Sequence, residues 1–293
     1  MNRIFLTGGT GFVGSRFIDL YQTRLDITAL TRNDPFGNQV GTAKGDLLDI
    51  DGLLPATKGC DAILHIGGAT PNRAYAAGNF DATTVGTRNL IAAARANGIR
   101  RFIFVSSLCV LFPKKGPYAR SKIEAEEAVM HSGLEWTILR PDTIVGPGAK
   151  DLGRTLRIWR RARCIPVIGD GTYTSQPIHV DDVCAALCKA LETPASAGRA
   201  ISVAGNDLVS FNEFARRFCR LIRKDRCRFV HIPKSAVYPL AWMASLIHPQ
   251  WGLNAERVDI ITTSHSVDLS LMRDLLRINP MPFEEAVSLT TME

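Results

Sequence analysis

Residues 7–14 read Thr7-Gly8-Gly9-Thr10-Gly11-Phe12-Val13-Gly14 and follow an apolar run, Ile4-Phe5-Leu6. A strand that ends in a Gly-x-x-Gly-x-x-Gly turn and opens into a helix is a device for holding a pyrophosphate. Gly8 allows the tight turn, Gly11 lets the backbone approach the phosphates, and Gly14 lets the helix pack on the strand. The helix N-terminus offers free N–H groups and the positive end of its dipole to the anion. Phe12, Val13, Phe17 and Ile18 give that helix an apolar stripe.

Outward from the turn, strand and helix signals alternate through residue 140, which implies a parallel sheet covered by helices on both faces. Strands are expected at 3–6, 26–30, 40–44, 61–65, 101–106 and 135–139. Helices are expected at 12–21, near Gly52, at 82–97, 118–132 and 181–191. Residues 178–180 and 200–203 read as short strands flanking the last of these, so the chain is expected to return to the sheet there. After Arg140-Pro141 the alternation breaks; Gly146-Pro147-Gly148 marks a turn, and most of the remainder reads as helix with Pro-bearing loops. The expected class is α/β: a Rossmann-type doubly wound parallel sheet from 1–145 and 176–205, with a smaller, mostly helical C-terminal substrate lobe from 146–175 and 206–293. Ligands of open α/β sheets bind outside the carboxyl ends of the strands, so the cleft between the lobes is the expected site.

The 293 residues, 46% hydrophobic and 22% charged, have the composition of a soluble globular protein. No apolar run reaches the ~20 residues needed to span a bilayer. The stretch 236–247 is short and contains Pro239, and reads as a buried or substrate-facing helix. The polar start Met1-Asn2-Arg3 runs straight into the first strand, so no secretory leader is expected. Seven cysteines, an odd count with no Cys-x-x-Cys, argue against a disulfide framework and for a reducing, cytoplasmic location, and no metal site is implied. Cys184 and Cys188, one helical turn apart, read as core packing.

The net charge of +7 comes from 26 Arg and 9 Lys against 28 acids. It is concentrated in Arg154, Arg157, Arg160, Arg161 and Arg163, and in Arg216, Arg217, Arg220, Arg223, Lys224, Arg226 and Arg228. These are either solvated helix faces or an attraction for an anionic ligand such as a nucleotide-linked substrate. No aromatic residues interleave them as in a nucleic-acid surface, so nucleic acid is not an expected partner.

Tyr118 and Lys122 are four apart in a helical stretch and share a face. A phenol of ordinary pKa, about 10, is a poor acid or base at neutral pH. A nearby ammonium favours the phenolate, and lowering the pKa by ~3 units takes roughly 4 kcal/mol of differential interaction. Tyr118 would then exchange a proton with a substrate hydroxyl or carbonyl.

The glycine turn, Gly45-Asp46-Leu47, His65-Ile66-Gly67-Gly68, Ser106-Ser107, Tyr118-Ala119-Arg120-Ser121-Lys122, Arg140-Pro141, Gly146-Pro147-Gly148 and His179-Val180-Asp181-Asp182-Val183 occur in this order. Together they resemble the extended, or a closely related atypical, short-chain dehydrogenase/reductase of the nucleotide-sugar epimerase/dehydratase type. The resemblance covers essentially the whole chain. It implies a bound nicotinamide cofactor held by Gly8, Thr10, Gly11, Phe12, Val13, Gly14, Asp46, Leu47, Gly67, Gly68, Tyr118, Lys122, Pro141 and Thr143. It further implies Tyr118 as acid/base, Lys122 lowering its pKa while bonding the nicotinamide ribose, and Ser107, with Ser106 the alternative, orienting the substrate oxygen. By the same resemblance Asp46 meets the adenine amino group, Leu47 lies against its ring, and His179 with the two Asp after it organises the lobe junction. Relatives commonly dimerise through a helix pair, and a homodimer is the corresponding expectation.

The second strand ends in Leu30-Thr31-Arg32-Asn33, where an NAD enzyme of this kind carries an acid that bonds both ribose hydroxyls. Thr31 carries no charge to repel a 2′-phosphate, and Arg32 can clamp one, so NADP(H) is expected over NAD(H). Two positions depart from the family pattern. Thr83 stands where an Asn helps shape the nicotinamide site, and the eleven-residue step from Ser107 to Tyr118 is short for a sugar epimerase. The sequence therefore supports hydride transfer at a carbonyl or alcohol carbon, of a nucleotide sugar or of a more apolar ketone as Trp242, Met243 and Trp251 suggest. The alternative is a non-catalytic NADP(H)-binding subunit or assembly factor.

Overall fold

The computed structural model describes residues 3–33, 36–68, 80–162, 164–223, 228–247 and 254–290. Trp251, Arg163, Lys224 and Arg226 lie outside the described residues. The chain begins β1 (Arg3–Thr7), α1 (Phe12–Tyr21), β2 (Asp26–Thr31), β3 (Gly41–Lys44), α2 (Ile50–Ala56), β4 (Ala62–His65), α3 (Asp81–Ala96), β5 (Arg101–Val105), α4 (Pro117–Met130) and β6 (Glu135–Pro141). It continues with β7 (Ile144–Val145), α5 (Lys150–Arg161), β8 (Cys164–Ile168), β9 (Thr174–Ser175), β10 (Ile178–His179), α6 (Val180–Glu192), β11 (Arg199–Val203) and β12 (Val209–Ser210). The last described elements are α7 (Phe211–Arg223), β13 (Arg228–Ile232), α8 (Lys234–Ile247), α9 (Ala255–Ile261), α10 (Ser270–Asp274) and α11 (Phe283–Thr290).

Seven parallel strands form one sheet in the order β11-β6-β5-β4-β1-β2-β3. The order reverses between β1 and β4, so their carboxyl ends diverge into the crevice where such sheets bind ligands. Each face has its own apolar layer: Leu6, Phe17, Ile18, Ile103 and Leu187 on one side, Phe5, Leu53, Ile63, Leu90 and Phe102 on the other. The alternation of β1 explains the division, because Phe5 and Leu6 point to opposite faces. Segment 269–278 also packs on the sheet, through Leu269, Met272, Leu276 and Ile278.

One expectation needs correction. Residues 178–179 do not rejoin the main sheet; β10 pairs in parallel with β7 in a separate ribbon, and β11 alone makes the return. The C-terminal part is mostly helical, as expected, with two short ribbons that the sequence reading did not place, β8 with β13 and β9 with β12. Pro166 within β8 obscured that strand; it is tolerated because a two-stranded ribbon leaves each strand an open edge.

Three segments at the crevice are joined by one buried hydrogen-bond chain. The Gly67 N–H donates to Thr7 Oγ1 at 3.0 Å, and Thr7 Oγ1 lies 2.7 Å from His65 Nδ1. His65 Nε2 lies 2.9 Å from Thr87 Oγ1, which donates to the Thr83 carbonyl at 2.5 Å. Thr87 spends its single proton on Thr83, so it accepts from Nε2–H; Nδ1 is then bare and accepts from Thr7. Every member is satisfied in one direction of travel, tying β1, the turn after β4 and α3 together.

Helix α4 is fixed to β6 by Arg140, whose Nε and Nη2 reach the buried Glu126 carboxylate at 2.9 and 2.5 Å. Replacing one partner strands the other in a low-dielectric setting. Glu126→Ala is expected to destabilise the fold by about 3 kcal/mol in urea denaturation; a loss under about 1 kcal/mol would contradict this role. Burial, with a minor contribution from Lys122, pulls the His65 imidazole down to about 3. An unfolded imidazole titrates near 6.5, so unfolding takes up a proton between these values and stability rises with pH across the window. The His65 contribution is complete above about pH 6.5 and is lost as pH falls toward 3. Tm measured from pH 7 to 4 should therefore fall more steeply in the native protein than in His65→Gln; equal slopes would exclude the linkage.

Candidate functional site

The glycine turn closes as its spacing requires. Gly8 has φ +78°, and a Cβ on it would stand 2.6 Å from the Gly67 amide nitrogen. A Cβ on Gly14 would stand 2.1 Å from the Gly8 carbonyl oxygen, so helix and turn touch backbone to backbone. Helix α1 has no side-chain cap at Gly11 and no acid in its first turn. Its N–H groups and dipole are left open to an anion beside the exposed Thr10 and Gly11. Half-buried Phe12 lies against Gly148, and Val13 is buried in the core.

At the end of β2, Thr31 is buried with its hydroxyl turned onto the Asn33 carbonyl, while Arg32 is exposed. Asp46 caps its own turn by accepting from the Leu48 N–H at 3.0 Å. The Leu47 carbonyl is held by Asn89 Nδ2 at 3.0 Å, which fixes that loop to α3. Pro141 is buried and Thr143 exposed at the mouth of β6. Between them Asp142 gathers three donors: the Thr143 N–H at 2.6 Å, the Gln176 N–H at 2.7 Å and His265 Nε2 at 2.9 Å. Burial disfavours charge on His265, but the hydrogen bond and charge of Asp142 outweigh it and raise its pKa.

Ser107, Tyr118 and Lys122 converge beyond β5. Ser107 caps a 3-10 turn, Leu108–Leu111, accepting from the Cys109 N–H at 3.4 Å, and its side chain is near enough to the Tyr118 phenol to draw the phenol's pKa down. Ser106, the other candidate, is buried with its hydroxyl unpartnered among the described residues. The Lys122 ammonium donates to the Val105 carbonyl at 2.9 Å and stands 4.9 Å from the centre of the Phe104 ring. A Cβ on Gly68 would lie 3.1 Å from Thr83 Oγ1 and 3.7 Å from Lys122 Nζ, which places these three together.

The electrostatics depart from the expectation that Lys122 lowers the Tyr118 pKa. Burial pushes the Tyr118 phenol upward, reinforced by Cys109, while Ser107 pulls it partly back. Burial pulls the Lys122 ammonium down to about 8 against the pull of Cys109 and Glu126. The ammonium is committed to Val105, and the phenol is held in its neutral, proton-bearing form.

These features suit a dinucleotide. The crevice offers uncapped helix N–H groups, a glycine floor without side chains, and a buried Ser106 hydroxyl lacking a partner among the described residues. His65 had no role in the sequence reading beyond its place before Gly67-Gly68. Its partners Thr7 and Thr87 are 58 and 22 residues away, and a histidine closing an apolar run was the available signal. His179 caps α6, accepting the Asp181 N–H at 3.2 Å. Asp181 takes Arg16 of α1 at 2.6 and 2.8 Å, and Asp182 takes the Met281 N–H at 3.0 Å. Of the arginine clusters, Arg160, Arg161, Arg216 and Arg220 are exposed on α5 and α7, whereas Arg217 pairs with Glu213 and Glu284. Helix α8 buries Val237 and Ala241 and exposes Leu240, Trp242 and Met243. Among the described residues no helix is long and apolar enough to cross a membrane.

Comparison with known proteins agrees with this architecture. A 2-alkyl-3-oxoalkanoate reductase of Stenotrophomonas maltophilia is 29% identical over 257 residues, 76% of this chain and 77% of that protein. A mitochondrial protein of Arabidopsis thaliana named NADH dehydrogenase [ubiquinone] 1 alpha subcomplex subunit 9 is 28% identical over 84% of this chain, which spans 65% of it. The crystal structure of UDP-glucose 4-epimerase from Thermotoga maritima with UDP-glucose superposes with a TM-score of 0.79 at 18% identity, covering 98% of this chain and 97% of that one. Residues 4–204 match the NAD dependent epimerase/dehydratase family. The chain therefore belongs to that family, the nicotinamide-dependent reductases, epimerases and dehydrogenases of the extended short-chain type.

Proposed function

We propose that the protein is an NADP(H)-dependent reductase acting on the carbonyl carbon of an apolar ketone, with residues 146–175 and 206–293 supplying the substrate side. The observation that carries this reading is the placement of Ser107 beside Tyr118, with a phenol kept protonated by burial. Reduction of a ketone requires a proton at its oxygen, and a neutral phenol beside a serine hydroxyl is suited to give it. Ser107 orients the oxygen and Tyr118 donates. Lys122, mostly protonated at neutral pH with a pKa about 8, bonds the neighbouring ribose and stabilises the phenolate left behind. A nicotinamide bound in the crevice would supply the hydride. Gly8, Thr10, Gly11, Phe12, Val13 and Gly14 would hold its pyrophosphate, Asp46 and Leu47 its adenine end, and Gly67, Gly68, Pro141 and Thr143 its nicotinamide half. The name of the Stenotrophomonas relative, a reductase of alkyl-substituted oxoalkanoates, supports an apolar ketone.

A non-catalytic, cofactor-loaded role is the second reading, favoured by the Arabidopsis relative named as a subunit and by Thr83 in the nicotinamide corner. Both readings meet one experiment. Purified protein with NADPH and ethyl 2-methylacetoacetate, with UDP-glucose as the sugar-nucleotide comparator, is followed at 340 nm with product identification. Turnover of the keto ester is expected, and Tyr118→Phe should reduce it by roughly a hundredfold or more while NADPH affinity stays within about twofold. Keto-ester consumption unaffected by Tyr118→Phe would remove Tyr118 from the chemistry.

Arg32 stands exposed at the position expected to meet a 2′-phosphate. NADPH is expected to bind at least about tenfold more tightly than NADH in a fluorescence titration, and Arg32→Ala to narrow the gap. Equal affinities in the native protein would refute the preference.

A further inference from the structure

Helix α4, which carries Tyr118 and Lys122, begins without a cap of its own. Its N-cap is Gly116, which has no side chain to offer, its first residue is Pro117, and its first turn contains no acid. The missing acceptor comes from a distant part of the chain. Glu256 in α9 places Oε2 3.3 Å from the Tyr118 nitrogen and Oε1 3.3 Å from the Ala119 nitrogen. The two carboxylate oxygens thus take two N–H groups of the first turn, at the positive end of the helix dipole.

The fit around this carboxylate is close. A Cβ on Gly116 would stand 2.0 Å from Glu256 Cδ, so the absence of a side chain there is what admits the carboxylate. The next acid on the same helix grips the approach to α4: Asp259 Oδ1 accepts from Lys114 at 3.1 Å and from the Tyr238 hydroxyl at 2.5 Å. Lys115 donates to the Val110 and Phe112 carbonyls, closing the short loop between Ser107 and Tyr118. Helix α9 is therefore clamped onto the N-terminus of α4 by two carboxylates three residues apart.

We propose that Glu256 is a positioning residue for Tyr118: by accepting its backbone N–H it sets the first turn of α4 and holds the phenol against Ser107. The inference rests on the assignment of Tyr118 as proton donor. Glu256 reaches Tyr118 through the backbone and is itself no part of the reacting set. Its loss should therefore lower kcat while sparing cofactor binding, because a small displacement of a reacting group is costly in rate.

The test compares Glu256→Ala, Glu256→Gln and Gly116→Ala in the full-length protein. Two readouts are used: kinetics with NADPH and ethyl 2-methylacetoacetate, and the tyrosine 13Cζ resonance of Tyr118 at neutral pH, assigned by its absence in Tyr118→Phe. Glu256→Ala is expected to lower kcat roughly tenfold or more with KM and NADPH affinity within about twofold, and to move the Tyr118 resonance toward its position in a Ser107→Ala control. Glu256→Gln, which keeps an acceptor oxygen, should restore most of both. Gly116→Ala should resemble Glu256→Ala, and the double variant should be no worse than either, since all disrupt one contact. A kcat within about twofold of native in Glu256→Ala, or an unmoved Tyr118 resonance, overturns the inference. So does a loss of NADPH affinity in parallel with kcat, which would mark Glu256 as a general support of the fold. Should the native protein turn over no keto ester, the reductase reading fails, and the resonance alone decides for or against Glu256.

Discussion

The carboxyl ends of β1 and β4 approach until Gly8 and Gly67 meet backbone to backbone, and the remaining architecture is arranged around that contact. A side chain at either position would drive the strands apart at the place where the sheet order reverses. Close approach alone would leave polar groups stranded, and the His65 chain prevents this by satisfying Thr7, Gly67 and Thr87 in sequence. A buried polar network of this kind is stable only when complete, and its completeness makes the crevice a fixed shape. The crevice is preorganised by backbone contacts and neutral hydrogen bonds, with the buried Lys122 ammonium beside Gly68.

The end that holds Ser107, Tyr118 and Lys122 is built differently. Tyr118 and Lys122 share one helix face, but the structure gives them separate environments: the ammonium faces the Val105 carbonyl and the phenol faces Ser107. Burial moves the two pKa values in opposite directions, up for the phenol and down for the ammonium, as desolvation does for an acid and a base. The phenol thereby keeps its proton, while the ammonium, at about 8, stays mostly charged at neutral pH. The arrangement suits a site whose resting form must hand over a proton.

What was legible in the sequence is what local rules determine. The Phe12–Tyr21 helix, its glycine turn and the alternating strands around them follow from periodicity and from residues that few other structures can use. The series of motifs through His179 then placed most candidate site residues at one edge of one sheet. What escaped depends on partners far along the chain. Residues 178–180 read as a strand of the main sheet because nothing local says which strand they will join. The 164–168 strand was hidden by Pro166, a residue acceptable only in a ribbon with open edges. His65 was quoted within a motif, yet its tautomer and purpose are set by two threonines that no window includes. Glu256 was invisible because its significance lies 138 residues away, at a helix start that shows only a glycine and a proline.

That last distance has a consequence for how the protein comes into being. A ribosome delivers the chain from its N-terminus, and domains begin to fold as they emerge. Ser107, Tyr118 and Lys122, with the strands that frame the crevice, are all exposed to solvent long before Glu256 leaves the exit tunnel. A nascent chain can therefore assemble its central sheet while the first turn of the helix that carries Tyr118 is still unset. The first turn of that helix is then set only when the 254–267 segment arrives.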